Sequence, residues 1–324
     1  VEAVMRVVRV MLLSRGFLFV LGLLAFSLAT AARDDGQERS TGRILPEGTV
    51  GIPVDANSRT VSSPGQQALQ APATASFLVN YTNFSPQAQA AFQHAINIWS
   101  SRINSTVPIV VNAQFANLGS GGFLATAGFL QSRRDFAGAP LSAVWFPVPV
   151  ANSRVGSDTD PANADIVVNF NSTVANFYFG LDGNTPAGQY DFVTLSLHEL
   201  LHGLGFGGSL NVTGGGTSGS WSSSGFPFVY DYYTVNGAGQ QLVNTALFAN
   251  PSAALAAQLT SNNVFWSGTS GFTGNGNSRP KMYAPGAWAL GSSHVHLDEA
   301  TYPPGTPNAL MTYALNTAES NHVP

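Results

Sequence analysis

The stretch Asp191–Phe206, DFVTLSLHELLHGLGF, decides how the rest of the chain is read. Its pattern predicts a helix from Asp191 to His202, with Asp191 as the N-cap and Gly203 and Gly205 ending it. Residues four apart on a helix lie on one face, so His198 and His202 can direct two imidazoles at a single metal ion. Glu199 sits one step round, where it can reach a water held at that ion. H-E-x-x-H spacing suits zinc-assisted hydrolysis for this reason. The bland alternative is a pair of surface histidines at a helix end. Leu195, Leu197, Leu200, Leu201 and Leu204 argue against it, because they make the helix a buried one. Buried imidazoles are costly unless something engages them.

Outward from this helix, the pattern alternates between strand and helix. Ser76–Tyr81 reads as a strand. Ser85-Pro86 is a helix start, and Phe92, Ile96, Trp99 and Ile103 form one apolar stripe, predicting an amphipathic helix over Pro86–Ile103. Pro108–Phe115 and Asp165–Phe170 read as strands, and Ala143–Val150 as one broken by prolines. Thr213–Gly225 is a Gly/Ser-rich loop, Val229–Val235 is aromatic and β-prone, and Ser252–Leu259 is a short helix. The order predicts an α+β fold: a twisted mixed sheet backed by two helices, with an irregular C-terminal subdomain.

Composition bounds the function. Charged residues make up 9% of the 324, against about 25% in ordinary soluble domains. A surface kept soluble by neutral polar groups fits an exported protein. With a formal net charge of −4 and no basic run beyond the leader, nucleic acid is not expected as a partner. The chain has no cysteine, which excludes disulfides, a thiol nucleophile and thiolate-held zinc. Arg6, Arg9 and Arg15, then Phe17–Leu28, then Ala29-Thr30-Ala31 have the layout of a signal peptide cleaved after Ala31. An uncleaved anchor is the competing reading; after cleavage no membrane attachment is expected. Residues 32–74 are polar and rich in Pro and Gly, a linker or short pro-segment. The folded domain is expected over 75–324, as a monomer secreted from the cell.

HELLHGLGF resembles the signature of the metzincin zinc peptidases. It is most similar to the leishmanolysin-like variant, H-E-x-x-H-x-L-G-F, which His198, Glu199, His202, Leu204, Gly205 and Phe206 match. The resemblance implies a zincin-like catalytic domain acting on protein or peptide substrates, with Asp165–Phe170 at the rim of the substrate cleft. Metzincins usually carry a third histidine three residues after that glycine, where this chain has Gly208. Leishmanolysin-like enzymes delay it, so the resemblance implies a downstream ligand.

Ser292–Glu299, SSHVHLDE, offers two histidines for that role. His296 is favoured over His294, with Asp298 as a partner that orients it; Asp298 or Glu299 as an oxygen ligand is the remaining option. Met311 then matches the Met-turn, the loop that metzincins place beneath the metal. Tyr313, two residues on, occupies the position of a tyrosine that stabilises developing negative charge in some members. Metzincins also continue into a C-terminal helix, so the stop at Pro324 implies a chain that is cut short or unusual there.

Asp158, Asp160, Asn163 and Asp165 cluster in a turn. A calcium ion would want such oxygens, although side chains capping their own turn explain the cluster more simply. His94 is expected to face solvent, His322 to be uninvolved, and Tyr230, Tyr232 and Tyr233 to pack the lower half. The expectation is therefore a secreted zinc endopeptidase with His198, His202 and His296 as ligands and Glu199 as base. Its rival is an exported, adhesin-like binding protein with structural zinc, which would have no use for Glu199.

Overall fold

The computed structural model describes residues 50–53, 75–119, 122–222, 224–306 and 308–324, the first of these as backbone only. The proposed signal peptide and most of 32–74 lie outside the described residues. No described helix is long and apolar enough to cross a membrane.

The architecture is mixed α and β. Five strands form the main sheet: β1 (Val50–Pro53), β2 (Phe77–Thr82), β3 (Ile109–Ala116), β4 (Phe123–Phe129) and β5 (Ile166–Asn171). Their spatial order is β1-β4-β5-β3-β2. β2, β3 and β5 run parallel, whereas β4 is antiparallel to β5 and β1 antiparallel to β4. Two helices, α1 (Pro86–Ser100) and α3 (Phe192–Gly203), pack together beneath the sheet.

Alternation along the strands separates the two sheet faces. Ile109, Val111 and Ala113 of β3 and Ile166, Val168 and Phe170 of β5 are buried toward the helices. The opposite face carries paired neutral side chains: Asn80 donates to Asn112 at 2.9 Å, Gln114 to Asn169 at 2.6 Å, and Asn169 to Thr126 at 3.3 Å. These amides do on this face what charges do on most solvent-facing sheets. Beneath it, Phe92, Phe115, Phe170, Phe177 and Phe192 form one aromatic cluster, with Phe170 and Phe192 centred 4.5 Å apart. Trp99 donates from Nε1 to the Leu197 carbonyl at 3.1 Å, which ties α1 to the middle of α3.

Several expectations need correction. α1 stops at Ser100 rather than Ile103. There the Arg102 and Ile103 N–H groups both donate to the Trp99 carbonyl, and the Ile103 carbonyl accepts from Ala75, so the chain turns off the helix axis. The predicted strand over Ala143–Val150 is strand only at Phe146–Pro147; it continues as helix α2 (Val148–Val155). Pro149 lies in the first turn of that helix, where a missing N–H costs nothing. Val229–Val235 likewise divides into a one-turn helix α4 (Val229–Tyr232) and a strand residue pair leading into Thr234–Asn236. The Gly/Ser loop contains a small hairpin, Asn211–Thr213 against Ser218–Ser220. β5 is not at a rim, since β3 and β4 pair with it on either side.

The lower half, from Gly207 onward, has its own core around Leu242, Leu255, Leu259, Val264 and Met282. Helix α5 (Ala253–Leu259), with Ser252 as its side-chain N-cap rather than its first residue, packs on the hairpin. The remaining segments are short. They are joined by backbone bridges such as Met282 to Leu297 and Leu297 to Thr312.

Candidate metal centre

α3 forms where the sequence places it. Asp191 accepts the Thr194 N–H at 2.7 Å as N-cap, and the C-cap is Leu204. Two glycines set how the helix ends. A Cβ on Gly203 would lie 2.3 Å from Ile166 Cγ2, so glycine lets the helix meet the start of β5 directly. Gly205 has φ of +120°, a backbone region that side chains disfavour. It turns the chain so that the Phe206 carbonyl comes back toward the helix.

That carbonyl accepts from His202 Nδ1 at 2.6 Å. His198 Nδ1 donates to the Leu310 carbonyl at 2.6 Å, and His296 Nδ1 to the Ser292 carbonyl at 2.9 Å. Each ring thus has its Nδ1 proton engaged by a backbone oxygen. The three Nε2 atoms turn inward, with His198 to His202 at 2.9 Å and His198 to His296 at 3.2 Å. All three side chains are buried. Burial, with mutual repulsion, pushes the pKa of His198 and His202 well below the usual histidine range, and burial pushes His296 down to about 4. Neutral imidazoles with converging lone pairs suit a cation. The three residues therefore fit a metal ion. They are the one such group among the described residues.

His296, not His294, completes the group. Its segment is held from both sides: Tyr283 donates its N–H to the His296 carbonyl at 2.9 Å, and Leu297 donates to the Met311 carbonyl at 2.7 Å. His294 has φ of +72° and turns away to Asp231, with Nε2 and Oδ1 3.3 Å apart. Asp298 does not orient His296. Its carboxylate accepts from Thr301 and pairs with Lys281 at 3.3 Å, so the orienting role falls to Ser292. Neither Asp298 nor Glu299 joins the histidine group.

Glu199 is fully buried, one residue on from His198. Met311 is buried in the short 3-10 turn Ala309–Met311, whose Leu310 carbonyl holds His198. Tyr313 stacks on Tyr283, centroids 4.1 Å apart and planes 19° from parallel. The sequence reading missed Tyr283; only its place beside Lys281 and Met282, opposite the histidine segment, marks it.

The acidic turn is a set of caps. Asp165 accepts the Val110 N–H at 2.8 Å, Asn152 bridges Asp158 and Asp165, and Asp160 pairs with the buried Arg133 at 3.5 Å. These carboxylates do not come together as a calcium site would require. His322 is engaged after all, donating to the N-cap Asp191 at 2.8 Å, and half-buried His94 lies beside it. Tyr230 packs and also donates to the His294 carbonyl at 3.0 Å.

No family model matches the chain, and no curated protein or solved structure does either.

Proposed function

We propose that this chain is an exported zinc-dependent endopeptidase of the metzincin type. The observation that carries the reading is the convergence of three neutral, buried imidazoles, two of them flanking Glu199 on one helix. Nitrogens shared by one tetrahedral zinc lie about 3.3 Å apart, near the 2.9 and 3.2 Å seen between these rings. His198, His202 and His296 would hold the ion. When bound, zinc supplies a Lewis acid that lowers the pKa of water toward about 7.

The protein residues divide the remaining work. Glu199 takes a proton from the attacking water, whose oxygen forms the new bond to the peptide carbonyl carbon. The same carboxylate then delivers that proton to the amine as the C–N bond breaks. Tyr313, braced by its stack on Tyr283, donates to the negative charge that develops on the carbonyl oxygen. The Leu310, Phe206 and Ser292 carbonyls keep each imidazole in the tautomer that presents Nε2. A purely structural metal site explains the three histidines but gives no role to a buried carboxylate beside them.

The test is casein hydrolysis by purified protein, with and without a zinc chelator, beside Glu199→Gln. Hydrolysis that is lost with chelator, restored by zinc and reduced at least 100-fold in the variant supports the reading. A zinc-loaded wild type no faster than Glu199→Gln on casein and gelatin would overturn it.

A further inference from the structure

A second cavity lies far from the histidines. β2, β3 and β5 run parallel, and a hollow of about 610 Å³ lies at their C-terminal ends. Asn83 follows β2, Gln114 is near the end of β3 with Asn117 just beyond it, and Ser172 follows β5. Open sheets hold ligands at the carboxyl ends of parallel strands, and small-molecule sites measure about 300–1,000 Å³. The histidines are at the other end of the same sheet. Ile166, which opens β5, packs on Gly203, and Ser172 lies about 20 Å further along that strand.

The lining defines the chemistry of the occupant. None of the lining side chains is charged, so an ion would leave water without gaining a partner. Four lining side chains are neutral and polar, and local hydrogen bonds orient three of them. Asn117 Oδ1 accepts the Gly119 N–H at 2.9 Å, which leaves Nδ2 as a donor. Asn83 Nδ2 donates to the Phe115 carbonyl at 3.3 Å, which leaves Oδ1 as an acceptor. Gln114 Nε2 donates to Asn169 Oδ1 at 2.6 Å, which leaves Oε1 as an acceptor. The exposed Ser172 hydroxyl has no partner among the described residues and can do both.

Aromatic rings complete the lining. Phe115 and Phe179 are half-buried, so part of each ring remains open to the hollow. Both are braced on Phe192 at the start of α3, Phe115 stacked at 5.6 Å and Phe179 edge-on at 5.0 Å. A sugar matches this mixture. Its hydroxyls each donate once and accept twice, and its C–H faces lie well on aromatic rings. A lipid tail would leave four polar groups unpaired. An extended peptide would want a free strand edge, whereas β3 and β5 are paired on both sides.

We propose that this hollow is a saccharide-binding site, which takes a short neutral stretch of a polysaccharide or of a protein-borne glycan. It acts apart from the candidate metal centre, and the proposal goes beyond the endopeptidase reading without resting on it.

Titration calorimetry of the full chain with maltotriose, cellotriose and triacetylchitotriose tests it. At least one should bind with a Kd of about 1 mM or tighter, equally well before and after zinc chelation. Asn117→Asp keeps the acceptor for Gly119 but removes the free donor, and Ser172→Ala removes the hydroxyl; both positions are exposed. Together they should weaken binding at least tenfold. Ala175→Trp, which fills the hollow from an exposed position in its lining, is the second variant should the double one not fold, and it should abolish binding.

The source of the sugar is read separately. Sedimentation with insoluble starch, cellulose or chitin, lost in the variants, supports the site as a polysaccharide anchor. Capture on immobilised ovalbumin that disappears when its glycan is removed supports it as a glycoprotein site. No binding of any saccharide probe overturns the proposal, as does binding that both variants leave unchanged. Binding abolished by chelation overturns it too, because the sugar would then sit at the histidines. Ovalbumin captured equally well without its glycan, with no saccharide bound, would make the occupant a protein.

Discussion

The two halves of the molecule supply the candidate metal centre by different means. In the upper half, β2 to β5 and helices α1 and α3 are long elements joined by regular ladders, and His198 and His202 come from a single helix. In the lower half the elements are three to seven residues long, and His296 is placed by the Tyr283 N–H on its carbonyl, by the Met311 carbonyl that accepts from neighbouring Leu297, and by the Ser292 carbonyl that accepts from its Nδ1. The upper pair is therefore as stable as one helix. The third ligand is only as well placed as the packing of several loops.

The largest expected effect comes from the ligands. His198→Ala or His202→Ala should abolish stoichiometric metal, measured by elemental analysis of purified protein. His296→Ala should do the same, whereas His294→Ala should retain the ion. If His294→Ala loses metal while His296→Ala keeps it, the lower half has been misread.

Next in size is the anchor of the lower half. Asp231 is buried and accepts from the Ser209 N–H at 2.8 Å, from the Ser209 hydroxyl at 2.7 Å and from His294. Asp231→Ala strands those donors and should cost about 2–3 kcal/mol. Because the cost falls on the loops around His296, metal affinity should drop about tenfold or more. Urea denaturation and metal titration test this together. Loss of stability with unchanged affinity would show that the lower half does not control its ligand.

The comparable break above is Gly203→Ala. Helix propensity favours alanine by about 1 kcal/mol, but the clash with Ile166 should outweigh it, for a net loss of about 1–2 kcal/mol. Adding Ile166→Val should recover part of that loss. A stabilised Gly203→Ala would mean that α3 sits further from β5 than described.

The smallest effect is a pH dependence. Burial first, then Asp158 and Asp160, raise the Asp165 pKa from 3.8 to about 6, against the opposing Val110 hydrogen bond. Between those values the folded chain holds a proton that the unfolded chain has lost, so this group's contribution to stability declines as pH rises through about 6. Thermal melts from pH 4 to 7 should show the decline, and Asp165→Asn should flatten it. An unchanged profile in the variant would assign the dependence to another group.

Where the sequence was legible, the signal was local. The α3 cap, its glycine stop and the His198–His202 face needed only helix periodicity. Ser85-Pro86 located the start of α1 in the same way. Where the sequence misled, the deciding partner lay far along the chain. The β propensity of Tyr230, Tyr232 and Tyr233 yielded to a helical turn in which Tyr230 reaches the His294 carbonyl. Asp298, adjacent to the right histidine, went to Lys281 and Thr301 instead.

By itself the sequence marked two candidate ligands, the carboxylate between them and the coarse α+β class, because each depends on a short-range period. For the third ligand it favoured His296 over His294, with Asp298 or Glu299 as the remaining option, on neighbouring residues alone. Tertiary structure decided between them: residues two apart in an extended segment would share a face, but His294 takes φ of +72° and turns to Asp231, while backbone bonds to Tyr283 and Met311 hold the His296 segment with its ring inward. The place of β1 was decided there as well. Four residues of linker composition carry no record of which sheet edge they will meet.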